Sequence, residues 1–304
     1  MKLAGLSQPP FSTSLVGVVK GALDFHGTRL SDAAAFGGSG HAFLINIHHE
    51  LCPSGPYCWN YEPFYALVRN LGLEMVELGF FHPGTTAEER LRLFGALKAE
   101  LDAGAPCGLM NMDDQLVAGY DGERLLLVQP WKDCCQTTPA TLTFPQWPEF
   151  GGEVHASFWA LRKAEPKAPA AARRESLAHA LDRWRSPEKH SQPGYGIGPR
   201  AYDNWLAALP QHGGSHGNWW NATVWAECRR MAGAWFAELA GALDGDAAGQ
   251  AAALAKEYAA ISELLGRAAA KELPVGEKAQ AVGAAKAAEE AAIGRVEELL
   301  AVLQ

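Results

Sequence analysis

Four residues near the start of the chain carry side chains suited to nucleophilic catalysis: Ser14, His41, His48 and Cys52. A hydroxyl or thiol attacks a carbonyl when a neighbouring base takes its proton, or when a helix N-terminus and an imidazolium favour the thiolate. Ser14 closes the triplet Ser12-Thr13-Ser14, which opens an apolar helical pattern. His41 ends a glycine turn, Gly37-Gly38-Ser39-Gly40-His41. His48-His49-Glu50 follows a strand-like run, and Cys52 lies in the loop Leu51-Cys52-Pro53-Ser54-Gly55-Pro56. One reading makes Cys52 or Ser14 the nucleophile, with His41 or His48 as base. The plainer reading makes Cys52 a small buried apolar side chain and His48-Glu50 a polar strand end. A metal-binding reading of His48-His49-Glu50 stands beside it, but adjacent strand residues point to opposite faces, so at most one of His48 and His49 joins any one site, and no metal site or cofactor is assigned. The glycine turn lacks the Lys-Ser/Thr of a phosphate loop and precedes a strand-like run, not a helix. It reads as a backbone turn at positive φ beside a pocket. Cys134-Cys135 reads as loop.

These residues need elements to position them. Leu15, Val19, Ala22, Leu23 and His26 form one helical stripe, capped by Ser12, Thr13 or Ser14 and ended by Gly27. Ser31-Asp32 starts a short helix reaching Phe36, and Ala42–Ile47 reads as a buried strand. Asn60 caps a helix closed by Gly72, and Leu73–Phe80 resembles a strand. Thr86-Ala87-Glu88-Glu89 is a capping box opening a helix that Gly104 stops. A meander follows over 105–110, 115–119 and 124–129, with an Asp121-Gly122 hairpin turn and a fourth strand over 154–161. Ala164–Pro169 is a Pro/Ala linker. Beyond it helices are expected at 171–185, 199–209, 218–243, 247–271 and 276–302, forming an antiparallel bundle. Trp205, Trp219, Trp220, Trp225 and Trp235 read either as bundle core or as walls of an aromatic pocket, with 211–218 as a flexible loop over it.

The 304 residues are 48% hydrophobic and 20% charged, which is globular composition with length for two domains. A formal charge of −8, with no basic block, argues against a nucleic-acid surface. No apolar run approaches the ~20 residues that span a bilayer, and the N-terminus lacks a signal-peptide pattern. The expectation is a cytoplasmic protein whose six cysteines are reduced thiols.

Three ordered motifs carry a family resemblance. The first runs from Ser14 through Asp24-Phe25-His26-Gly27-Thr28-Arg29-Leu30-Ser31-Asp32 to Phe36-Gly37-Gly38-Ser39-Gly40. The second is Gly104-Ala105-Pro106, then Leu116–Asp121, then Val128-Gln129-Pro130. The third is Gly198-Pro199-Arg200-Ala201-Tyr202-Asp203-Asn204-Trp205. Together, over about residues 1–240, they resemble the N-terminal domain family of butirosin biosynthesis protein H, itself similar to papain-like peptidases that process bacteriocin leaders. The resemblance implies a cysteine at the first helix, a histidine opening a strand and an Asp before a Pro. Counting along the motifs, those positions carry Ser14, Asp113 (within Asp113-Asp114-Gln115) and Gln129.

The expected fold class is therefore α+β, with a papain-like domain over 1–163 (helix plus antiparallel sheet) and a helical bundle over 164–304. The family's activity is acyl transfer from a carrier protein to an amine. The missing thiol implies a non-catalytic relative that binds a small-molecule or peptide ligand in the old cleft. That cleft would be lined by Ser12, Thr13, Ser14, Gly38, Ser39, His41, Asp113, Asp114, Gln115 and Gln129. The alternatives are an active acyltransferase or hydrolase with the relocated groups above, or a scaffold dimerising through the alanine-rich helices of 247–302. An acyl-carrier or biosynthetic partner is implied by the resemblance; nucleic acid and membrane are not.

Overall fold

The computed structural model describes residues 1–132, 139–150 and 155–303. Cys134, Cys135 and Val154 lie outside the described residues. The chain is of mixed α and β structure, with an antiparallel sheet and a helical C-terminal part. It forms two compact units: Met1–Leu30 with Val68–Pro166, and Ser31–Leu67 with Lys167–Gln304. The contiguous division expected at 163/164 differs from this grouping chiefly in residues 31–67, which go with the C-terminal helices.

In the first unit, helix α1 (Ser14–Phe25) is buried from Ser14 to Leu23. A single apolar stripe understates that burial, because Gly17 and Gly21 let the backbone of Ser7 and Pro9 approach closely. Thr13 takes the N-cap position, without a side-chain cap hydrogen bond. A six-stranded sheet has the order β2 (Leu73–Phe81), β7 (Ala156–Lys163), β3 (Cys107–Asn111), β4 (Asp113–Asp121), β5 (Arg124–Leu127), β6 (Thr141–Thr143). Every neighbouring pair is antiparallel. Helix α1 packs on β4. Helix α4 (Ala87–Asp102) starts at the expected capping box, with Glu89 N donating to Thr86 Oγ1 at 3.2 Å and Thr86 N to Glu89 Oε2 at 2.8 Å. The core gathers Leu97 and Leu101 of α4 with Cys107, Leu109, Leu125, Phe144, Trp147 and Phe158.

In the second unit, α2 (Asp32–Gly38) is capped by Ser31, whose hydroxyl accepts from Ala34 N at 2.9 Å. It runs past Phe36 to Gly38, and Gly40 then turns the chain at φ +70°. The strand expected over 42–47 is largely absent. His41–Phe43 is a 3-10 turn, and strand β1 is Asn46–His48. The apolar run is buried as expected, but the carbonyls of Ala42 and Leu44 are not taken by a strand ladder. Arg229 Nη1 donates to Ala42 O at 3.0 Å and to Leu44 O at 2.6 Å. Strand β1 pairs antiparallel with β8 (Tyr195–Ile197), a strand with no clear sequence signal.

Helix α3 (Glu62–Asn70) follows Asn60, whose Oδ1 accepts from Glu62 N at 3.1 Å. The later helices are α5 (Pro169–Arg185), α6 (Pro199–His212), α7 (His216–Ala242), α8 (Gly245–Ala269) and α9 (Val275–Val302), close to the expected spans. Helix α7 packs on α8, α8 on α9, and α5 and α6 on α9. The segment read as a flexible loop, 211–218, is mostly the end of α6 and the start of α7. Trp205, Trp225 and Trp235 are buried, and Trp219 and Trp220 are half-buried. No helix of the described residues is long and apolar enough to cross a membrane.

Candidate functional site

Ser14 is the first residue of α1, and Asp114 is the second residue of β4. Packing of α1 on β4 brings them together. Ser14 Oγ donates to Asp114 Oδ2 at 2.9 Å and accepts from Asp114 N at 2.9 Å. Both are shut off from solvent, at 2% and 1% exposure. Gln8 extends the network: its Nε2 donates to Asp114 O at 2.8 Å, and Leu116 N donates to its Oε1 at 2.9 Å. Burial pushes the Asp114 carboxyl up to about 7; the Ser14 bond pulls the other way, and the Asp113 carboxylate adds to the rise. Asp114 Oδ1 is buried and lacks a hydrogen-bond partner.

The chemistry of this pair is limited. A nucleophilic hydroxyl needs a base to receive its proton and a free lone pair to attack. Here the hydroxyl donates to a carboxyl, one of its two lone pairs accepts a backbone N–H, and the oxygen is buried. A carbonyl carbon reaches Ser14 only if the packing around the pair opens.

The other residues expected near Ser14 in the first unit serve the backbone. Gln115 Nε2 donates to Val128 O at 2.8 Å, and Gln129 Nε2 to Pro139 O at 2.7 Å. The Thr13 carbonyl accepts from Val16 N and Gly17 N. Ser12, Asp113 and Gln129 are half-buried.

Gly38, Ser39, His41, His48 and Cys52 belong to the second unit. Ser39 Oγ donates to Phe36 O at 3.1 Å and is wholly buried. His41, 1% exposed, sits among Trp59, Phe64 and Trp225, with ring centroids 5.6, 5.8 and 6.3 Å away. The thiol it meets is Cys228, whose Sγ is 3.6 Å from His41 Nδ1, not Cys52. Burial holds the His41 imidazole down to about 3, helped by the nearby Arg183 guanidinium and, less, by Arg229. Thiolate–imidazolium chemistry requires the ring to carry a proton near neutral pH; His41 stays neutral there, and Cys228 is fully buried.

Arg183 and Arg229 had no mark in the sequence. Arg183 Nη1 donates to Gly40 O at 3.0 Å, and its guanidinium lies 5.7 Å from the Trp59 ring centre. Arg229 forms a buried ion pair with Glu289, Nη2 to Oε1 at 2.7 Å, joined by the Tyr202 hydroxyl on Glu289. The nearest clue to the Cys228–His41 meeting is the helical spacing of Trp225, Cys228 and Ala232, which marks one buried face of α7.

Cys52 is half-buried, and its carbonyl accepts from Asn221 Nδ2 at 2.9 Å. Just before it, His48 and His49 lie together, with ring centroids 4.2 Å apart. This corrects the opposite-faces expectation. Strand β1 ends at His48, and Leu51 at φ +52° returns the chain in a tight turn. His49 is therefore outside the pleat. His49 Nδ1 lies 3.0 Å from Gly194 O, so it carries the proton and donates. His48 Nδ1 accepts from Glu50 N at 3.2 Å. Burial lowers the His48 pKa, and a charge on His49 lowers it further, while Glu50 opposes both.

Compared with protein-family models, the chain matches none. Compared with curated proteins, it likewise finds no match.

Proposed function

We propose that this protein is a non-catalytic relative of the papain-like, butirosin H-type group that binds a small or peptidic ligand without turning it over. The observation that carries this reading is the Ser14–Asp114 pair. By the motif resemblance, a thiol belongs at the start of α1 and an imidazole at the start of β4. The chain has a hydroxyl and a carboxyl there: Ser14 Oγ donates to Asp114 Oδ2 and accepts from Asp114 N, each at 2.9 Å, in a buried setting. The helix is retained and its chemistry has become structural. Ligand contact in the first unit then falls to the half-buried residues of the expected cleft: Ser12, Asp113 and Gln129. The rival reading, a relocated nucleophile, draws support only from the half-buried Cys52 thiol; the neutral, buried His41 counts against it.

Two reactive probes test the reading. A fluorophosphonate is expected to leave Ser14 unmodified, and iodoacetamide is expected to modify Cys52 no faster than an ordinary accessible thiol. Fluorophosphonate capture at Ser14, or fast selective alkylation of Cys52 near neutral pH, would falsify it.

A further inference from the structure

We propose that His48, His49 and Glu50 form a binding site for a divalent first-row transition metal ion such as Zn²⁺. The proposal does not depend on the reading of the Ser14–Asp114 pair. One ligand atom from each of the three residues lies within 4.8 Å of the others. Tetrahedral zinc with ligands at about 2.0–2.2 Å places its donor atoms roughly 3.3–3.6 Å apart. The side chains must therefore close by about an ångström, a small movement for His49 and Glu50, which are exposed.

Two further features favour an ion over a chance cluster. His49 donates from Nδ1 to Gly194 O at 3.0 Å, which fixes its tautomer and leaves Nε2 with a free lone pair. Metal-binding imidazoles are commonly oriented in this way by a carbonyl on the far nitrogen. Gly194, at φ +83°, also makes room: a Cβ there would lie 3.2 Å from His48 Nε2 and 3.4 Å from His49 Nδ1. The β1–β8 pairing holds that glycine in place, since His48 is in register with Tyr195.

The donor set selects the ion. Two imidazoles and one carboxylate suit zinc, cobalt, nickel or copper, whereas magnesium and calcium prefer all-oxygen sites. Three protein ligands leave a fourth position to water or to an anionic ligand. Binding has a local cost, because an ion taken at His48 Nδ1 displaces the Glu50 N–H bond, which is long at 3.2 Å.

The test uses the full chain without a histidine tag. Zn²⁺ binding is measured by calorimetry, and Co²⁺ is followed by its visible absorption. One ion per chain is expected. His49→Ala and Glu50→Gln are each expected to weaken it on the order of 10-fold or more, with circular dichroism confirming that both remain folded. His155→Ala, at an exposed histidine in the first unit, is expected to leave it unchanged. Absence of Zn²⁺ binding, or binding equally tight in both ligand variants, would overturn the proposal.

Discussion

Asp114→Asn should change how the stability of the first unit responds to pH. The native carboxyl titrates at about 7 instead of its ordinary 3.8, chiefly because it is buried. Between those values the folded chain holds a proton that the unfolded chain has lost. Stability therefore falls as pH rises through this window, by roughly 1.4 kcal/mol per pH unit. Its contribution is fully present below the ordinary carboxyl range and gone above about pH 7. Asparagine keeps an oxygen for the Ser14 hydroxyl and does not titrate. About two units of the window lie above pH 5, so the variant should gain about 2–3 kcal/mol on the parent between about pH 5 and about pH 8.5. Urea unfolding, read by hydrogen-exchange mass spectrometry on peptides from α1 and β4, measures that difference. A pH-independent difference, or an asparagine variant that loses ground at the alkaline end, would refute the reasoning. The first result would mean that the carboxyl is already charged in the native state at about pH 5.

Two other outcomes follow from the second unit. Arg229→Met should cost about 3–5 kcal/mol, because it strands the buried Glu289 carboxylate and the carbonyls of Ala42 and Leu44. Adding Glu289→Leu should recover part of that loss in a urea titration, and a double variant as unstable as the single would count against the pair. The His41 ring proton resonances should not move between about pH 5 and about pH 8, since burial holds the imidazole near 3. A midpoint near the ordinary histidine value would show an accessible ring and reopen its case as a base.

Much of the architecture could be read from local pattern. The capping box at Thr86, the Asp121-Gly122 turn and the long C-terminal helices depend on neighbours in sequence, and they appear where expected. The run 42–47 could not be read this way. Its apolar character reports burial, not conformation, and Arg229, far along the chain, takes the carbonyls that a strand neighbour would have used. Strand β8 is three residues long, too short for an alternating pattern to register.

The site divides in the same manner. Motif counting pointed to Ser14 and to the Asp113-Asp114-Gln115 step, and the structure joins Ser14 to Asp114. The partner of His41 lies 187 residues away, and its histidine–thiol contact is made by packing alone. The meeting of His48 and His49 depends on where β1 stops, a boundary that periodicity does not locate.

The central claim is that the start of α1 has lost its chemistry. Single-turnover exposure of the full chain to an acyl N-acetylcysteamine thioester, followed by intact-protein mass spectrometry, tests it most directly. The expected result is an unmodified mass and no acylation of an added amine. An acyl adduct mapping to Ser14 or Cys52, discharged when the amine is added, would contradict it.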